Sequence, residues 1–327
     1  MNDPEPIDSS LESLQAQHLA RPAPLRVGVV GAGIWARTAH IPMHQGPGPT
    51  ALTGVWARSA EAREQLRNDG MHVFDTFDDL LDASEAVDFA IPPTVQPSLA
   101  ILAAEAGRHV LLEKPSATNP ADAWRIADAV ATAGVASALT LTRRYHPLVR
   151  EYLERVDALE DPPTGIMGAH VHDGFLTGGF VAKPSPWRDE LGALYDLGPH
   201  LLDMAEQVAG PIVRVRVRDH RGWTTIDADH VGGALGQYAV SGCVRTRPAT
   251  TLITSGPSGR ETLDTAGVDM APAFAQLREE FARAARSGSP VTADALRGAE
   301  LADLIDACRR SLAEQGAAVA VSQGRSI

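Results

Sequence analysis

Residues 25–36 read LRVGVVGAGIWA, and the order of residue types in that stretch decides the fold. The first six form a short, mostly apolar run, the pattern of a strand buried on both faces of a sheet. Gly31 and Gly33 follow at once, and Ala36 stands where a third glycine is common. Gly31 permits a tight turn from strand to helix, and Gly33 lets the backbone approach a pyrophosphate at the helix N-terminus. Ala36 still allows the helix to pack closely on the strand. Glycines alone would show only a tight turn, but a strand before them and a helix after them is the context a dinucleotide site requires.

Outward from that turn, strand and helix alternate. ALTGVW (51–56), AVDFAI (86–91), HVLLE (109–113) and ASALTL (136–141) read as further buried strands. Helical patterns fall between them, at about 34–44, 59–69, 76–82, 96–106 and 120–133. In the last of these Asn119 caps, Pro120 takes the first helical position and Gly134 ends the helix. Such alternation gives a parallel sheet covered on both faces. After about residue 142 the pattern changes. A helix is expected over 147–158, a strand in GIMGAHVHDGF (165–175), and a helix near 199–209 that begins at Pro199. Strands follow in PIVRVRVRD (211–219), GWTTI (222–226), HVGGALGQYAV (230–240) and TTLIT (250–254), then helices at about 272–287 and 294–314. Val213, Val215 and Val217 share one face and the intervening arginines the other, as in a half-exposed antiparallel strand. The expected division is a loose tail over 1–24, a nucleotide-binding domain over 25–142 and a second domain over 143–327.

The chain has 327 residues, which suits two domains. Its net charge of −12 argues against a nucleic-acid surface, although a few local donors suffice for a nucleotide. Cys243 and Cys308 are far apart and read as free, buried thiols in a reducing compartment. No apolar run approaches the ~20 residues of a membrane span, and the N-terminal stretch lacks the pattern of a signal peptide. The expectation is a cytoplasmic protein with no membrane partner.

The second strand of a dinucleotide-binding fold ends in an acid when the ribose carries a free 2′-hydroxyl. Here Ala57, Arg58 and Ser59 stand there instead. Arg58 can stack on adenine and pair with a 2′-phosphate, and Ser59 can donate to it. This favours NADP over NAD.

Several segments together resemble the Gfo/Idh/MocA family of NAD(P)-dependent oxidoreductases. They are the GAGIWA turn, AIPPTVQPSLAILAAEAGRHVLLEKPSA (90–117), TRRYHP (142–147), WRDELGALYDLGPHLLD (187–203) and SPVTADALRGAELADLIDACRRS (289–311). The resemblance implies an α/β Rossmann domain with a doubly wound parallel sheet, then an α+β domain with a mostly antiparallel, open-faced sheet. It implies that Ile34, Trp35, Ile91, Pro92, Gln96 and Arg143 line the cofactor with Gly31, Gly33, Arg58 and Ser59. Glu113 would lie near the nicotinamide ribose, and Lys114 would reach both the nicotinamide and the substrate oxygen. It also allows a cis bond between Lys114 and Pro115. Asp196 and His200 match the family's D-x-G-x-H segment. Tyr145, His172, Trp187 and Arg188 are candidates for the substrate pocket. A homodimer or homotetramer is expected, as is a small-molecule substrate of the sugar, polyol or cyclic ketone class.

The chemistry needs such groups. Removing a hydride from a carbinol carbon requires the hydroxyl proton to leave as well. A histidine titrates near neutrality and can carry that proton, while an ammonium stabilises the developing alkoxide. His200 is therefore assigned as acid/base, Lys114 as electrostatic stabiliser and second candidate for proton transfer, and Asp196 as orienter. His170 and His172 share a strand face but lack an identifiable third ligand, and DADH (227–230) reads as a solvated acidic loop, so no metal is expected. The family's glycines before D-x-G-x-H are here Leu191-Gly192-Ala193, and Gln96, Ile91 and Thr142 replace its usual His, Thr and Asn. These departures leave substrate identity open. The leading function is an NADP-dependent oxidoreductase. A non-catalytic NADP(H)-binding regulator with the same fold is the alternative, and glycoside cleavage through transient oxidation on a tightly held NAD is a third reading.

Overall fold

A computed structural model describes residues 23–179 and 186–322. Of the expected N-terminal tail, residues 1–22 lie outside the described residues. The first sheet contains β1 (Leu25–Val30), β2 (Thr50–Trp56), β3 (Ala86–Phe89), β4 (His109–Leu112) and β5 (Ser137–Leu139). All pair in parallel, in the order β2-β1-β3-β4-β5. The chain leaves β1 in one direction to β2 and later returns to its other side as β3. A crevice therefore opens at the carboxyl ends of β1 and β3, where ligands bind in such sheets. The helix over Pro120–Ala133 begins on an Asn119 cap and ends at Gly134 in the left-handed region, as its sequence signals require.

The second sheet joins β6 (Gly165–Val171), β7 (Ile212–His220), β8 (Trp223–His230), β9 (Leu235–Ser241), β10 (Ala249–Gly256), β11 (Gly259–Asp264) and β12 (Val319–Ala320). Their order is β11-β10-β6-β9-β8-β7-β12, antiparallel except for β6 beside β9. One face is covered by a helix carrying Leu197, Leu201, Met204 and Val208, all buried. The other face is open and shows Met167, Trp223 and Leu235 among the arginines of β7. A bulge in the β7–β8 pairing between Ile212 and Arg214 makes Ile212 the buried residue and leaves Val213 half-buried, so only Val215 and Val217 keep the expected inward face.

Several expectations need correction. The run 230–240 is broken by a turn, and DADH lies on β8, where Asp229 pairs with Arg214 and Arg216. Strands β11 and β12 gave too little alternation to be read. Cys308 is buried but Cys243 is exposed. The helix expected near 199–209 runs over Pro186–Ala209, broken at Gly192 (φ 69°, ψ −169°). Pro199 thus lies inside the helix, and Asp196 sits within it rather than at its mouth. Finally, the helix over Ala271–Ser287 returns to the first sheet, packing Leu277 and Phe281 against Leu25, Val27 and Leu111.

A candidate active site between the two sheets

After β1, Gly31 adopts φ +138°, and a Cβ there would come within 2.4 Å of the Ala90 carbonyl oxygen. Only glycine fits this close approach of β1 to the end of β3. A Cβ on Gly33 would meet nothing within 4 Å, so the outer side of the turn is open to a ligand. Ala36 is buried, while Ile34 and Trp35 are exposed at the mouth. At the end of β2 Arg58 is exposed and makes no ion pair among the described residues. Ser59 is already used. Its hydroxyl accepts from the Ala62 N–H and donates to Glu61. That N-cap engages the Ser59 hydroxyl, while the neighbouring Arg58 stays exposed.

Glu113 and Lys114 follow β4, and the Lys114–Pro115 bond is cis. Gln96 brackets the turn. Its amide donates to the carbonyls of Glu113 (2.8 Å) and Ser116 (3.0 Å), and its oxygen accepts from the Glu113 N–H (2.9 Å). Gln96 is fully buried, so it shapes the turn and does not face the crevice, contrary to the expected cofactor contact. The Glu113 carboxylate accepts from the Trp35 indole (2.9 Å), from His40 Nε2 (3.0 Å) and from the Lys114 N–H (3.0 Å).

Behind Glu113 lies a polar chain that the sequence reading missed. His40 Nδ1 is 2.8 and 2.9 Å from the two Asp88 oxygens, and His44 Nε2 is 3.0 Å from one of them. His44 Nδ1 then meets the Thr50 hydroxyl (2.8 Å), which also accepts from Arg278 (2.7 Å). His40, His44 and Asp88 are fully buried. With a carboxylate at each ring nitrogen, His40 donates twice, which makes it an imidazolium. Burial alone would lower its pKa, but Asp88 and Glu113 outweigh burial and raise it to about 10. Burial would raise Asp88, but both histidines hold it at about 2.

The second sheet contributes the other half. Lys114 Nζ donates to the Asp196 carbonyl (2.7 Å) and to its Oδ1 (2.8 Å). Arg188 Nε lies 3.0 Å from Asp196 Oδ2, and the Arg188 guanidinium lies over the Trp187 ring at 4.4 Å. Burial opposes the charge on Asp196, yet Lys114, His172 and Arg188 hold its carboxyl well below the usual range. The His200 ring is buried 5.7 Å from that of His170, and its Nδ1 has no partner among the described residues. Burial pushes the His200 pKa well below 6.5, and the charges of Lys114 and Arg143 push the same way. His200 is therefore a neutral imidazole at pH 7, a base ready to take a proton.

Residues 25–140 match a family model described as "Oxidoreductase family, NAD-binding Rossmann fold". That model is the Gfo/Idh/MocA one, and the match covers the first sheet. A Gfo/Idh/MocA relative, the dTDP-3,4-didehydro-2,6-dideoxy-alpha-D-glucose 3-reductase of Streptomyces violaceoruber, is 29% identical over 232 residues, covering 68% of this chain and 65% of that protein. The chain spans about half to two thirds of the length of such curated relatives. Among solved structures, GenD2 from gentamicin A biosynthesis in complex with NAD is similar at a TM-score of 0.79 and 21% identity, over 91% of this chain and 96% of that one. Levoglucosan dehydrogenase in complex with NADH and levoglucosan is similar at 0.75 and 20%, over 92% of this chain and all of that one (100%). At such identities the likeness is one of fold.

Measured against the Gfo/Idh/MocA expectations, the structure brings Lys114, Asp196, His200, His172 and Arg188 together. Ile91 and Pro92 stand at the end of β3, half-buried and exposed. Arg143 is buried and donates to Thr265 (2.8 Å) and His170 (3.1 Å), so it supports the second sheet beside the site. Tyr145 is fully buried with its hydroxyl on the Ala293 carbonyl (3.2 Å), which removes it from the substrate pocket. Trp187 is buried, with Arg188 over its ring. Asp196 bonds Lys114, and no hydrogen bond joins it to His200 among the described residues, so its orienting role is exerted on the amine. His170, which shares a strand face with His172, joins the site beside His200. Among the described residues no group of three or more His, Cys, Asp or Glu is arranged to hold a metal ion.

The buried pair sets a pH dependence of stability. A histidine whose folded pKa is about 10 contributes fully below its unfolded value near 6.5, and that contribution disappears as pH rises through 10. Chemical denaturation between pH 7 and 10 should therefore show the native chain losing stability faster than His40→Asn, by up to about 1.4 kcal/mol per pH unit. Parallel slopes would refute the charged histidine.

Proposed function

We propose that the chain is an NADP-dependent oxidoreductase that moves a hydride between nicotinamide and the carbinol carbon of a sugar-like or cyclic polyol substrate. The observation that carries this reading is the Lys114 ammonium, fixed on Asp196 beside a neutral His200 at the edge of a dinucleotide-binding turn. The residues present fit the cofactor, since Gly33 is open on its outer side, a helix begins behind it and Arg58 is exposed. When bound, the nicotinamide accepts or returns the hydride. The protein's residues manage the proton and the charge. In oxidation His200 takes the hydroxyl proton as the hydride leaves, the carbon–oxygen double bond forms, and Lys114 steadies the negative charge growing on that oxygen. A histidine kept neutral at pH 7 suits this direction. Reduction would draw its proton from Lys114. The fold and the sugar-active relatives support the substrate class, and two free cysteines fit a reducing, cytoplasmic setting.

The open face of the second sheet, with Met167, Trp223 and Leu235 exposed, supports pairing into a homodimer or homotetramer. Light scattering at a monomer's mass would remove that part of the reading. A panel of sugars and keto-sugars followed by NADPH absorbance tests the reaction. Lys114→Ala should lower turnover by about a hundredfold or more while cofactor still binds, and unchanged turnover would take Lys114 out of the mechanism. Because His200 is already neutral, the oxidation rate should hold level down to pH 6.5 and fall only below it. NADPH should bind more tightly than NADH, with Arg58→Ala narrowing the gap by about tenfold. Equal affinities in the unaltered protein would defeat the NADP assignment.

A further inference from the structure

The chain of buried groups behind Glu113 has no part in the chemistry just described. It crosses the first sheet from Arg278 through Thr50, His44, Asp88 and His40 to the Glu113 carboxylate, each link 2.7–3.0 Å long. Buried ionic groups of this kind are weak sources of stability, because well-packed apolar residues do as well or better. Their placement is more telling. His40 reaches Asp88 with one nitrogen and Glu113 with the other. Glu113 is the residue next to Lys114, at the mouth of the dinucleotide turn. One carboxylate oxygen takes both the Trp35 and His40 donors, and the other takes the Lys114 N–H. The carboxylate is thus fixed in plane and rotation before any ligand arrives.

We propose that His40, itself held by Asp88 and His44, is a positioning residue for the nicotinamide half of the dinucleotide, acting through Glu113. The proposal rests on the nucleotide reading above. Glu113 offers the ribose hydroxyls a carboxylate whose orientation costs nothing at the moment of binding. His40 supplies the buried donor that sets that orientation, and Asp88 balances its charge.

The two ring nitrogens can be tested separately. Asn at position 40 places a donor where Nδ1 was, toward Asp88, and loses the bond to Glu113. Gln places a donor where Nε2 was, toward Glu113, and loses the bond to Asp88. Both remove the ring's charge, so a purely structural role would affect them alike. Calorimetric titration should show His40→Asn weakening NADPH by about tenfold, the worth of one charge-assisted hydrogen bond, with His40→Gln restoring most of it. Adenosine 2′,5′-bisphosphate, which lacks the nicotinamide half, should bind both variants as it binds the unaltered chain. In a Glu113→Gln background His40→Asn should add little, since the two act as one unit. Trp35→Phe removes the other donor to the same oxygen at an exposed position, so it should weaken NADPH in the same sense even if changes at His40 hinder folding. Equal NADPH affinities for the Asn and Gln variants, independent effects of His40 and Glu113, or an unaffected Trp35→Phe would overturn the proposal. If the unaltered chain bound neither NADPH nor NADH, the nucleotide reading itself would fall, a result distinct from tight binding that ignores His40.

Discussion

A single ammonium joins the two sheets at the point where chemistry is proposed. Lys114 leaves the end of β4 and spends two of its three hydrogens on the carbonyl and carboxylate of Asp196. Taking charges out of water is costly, and the geometry must repay it. Here Arg188 is the second cation on the same carboxylate. Burial pushes His200 and His170 toward the neutral form, and the positive charges of Lys114 and Arg143 push the same way. The anchored amine thus reinforces the neutral state that burial already imposes on the imidazole.

The helix that presents Asp196 is adapted to the same end. Pro199 has no N–H to give to the Tyr195 carbonyl four residues earlier. Within this stretch the next carbonyl, that of Asp196, takes the lysine. A second ionic cluster steadies the arrangement from behind, where Asp203 binds both Arg144 (3.0 Å) and Arg297 (2.7 Å) and ties the helix to the chain's C-terminal part.

Much of this was legible in the residues. The buried strands, the glycine turn and the capped helices declared the first sheet because each signal is local. Lys114, Asp196 and His200 were legible because short motifs carried them. The supporting groups were not. Asp88 sits in the middle of AVDFAI, and a carboxylate inside a strand buried on both faces demands a cation. His40 and His44, at the ends of the successive helical segments Ala36–His40 and Ile41–His44, were the available partners, but the pairing depends on the sheet order and not on spacing. Tyr145 and Gln96 were misplaced for a related reason: motif position says which segment is near a site, not which way a side chain turns. The helix break at Gly192 was hidden because Pro199 gave a stronger and misleading start signal.

Arg143 can only donate, so the His170 nitrogen that faces it must accept, and the ring's hydrogen is left on Nδ1. Among the described residues nothing receives that hydrogen. A buried donor without an acceptor costs free energy, so the tautomer that Arg143 imposes leaves one unmet hydrogen beside the His200 ring.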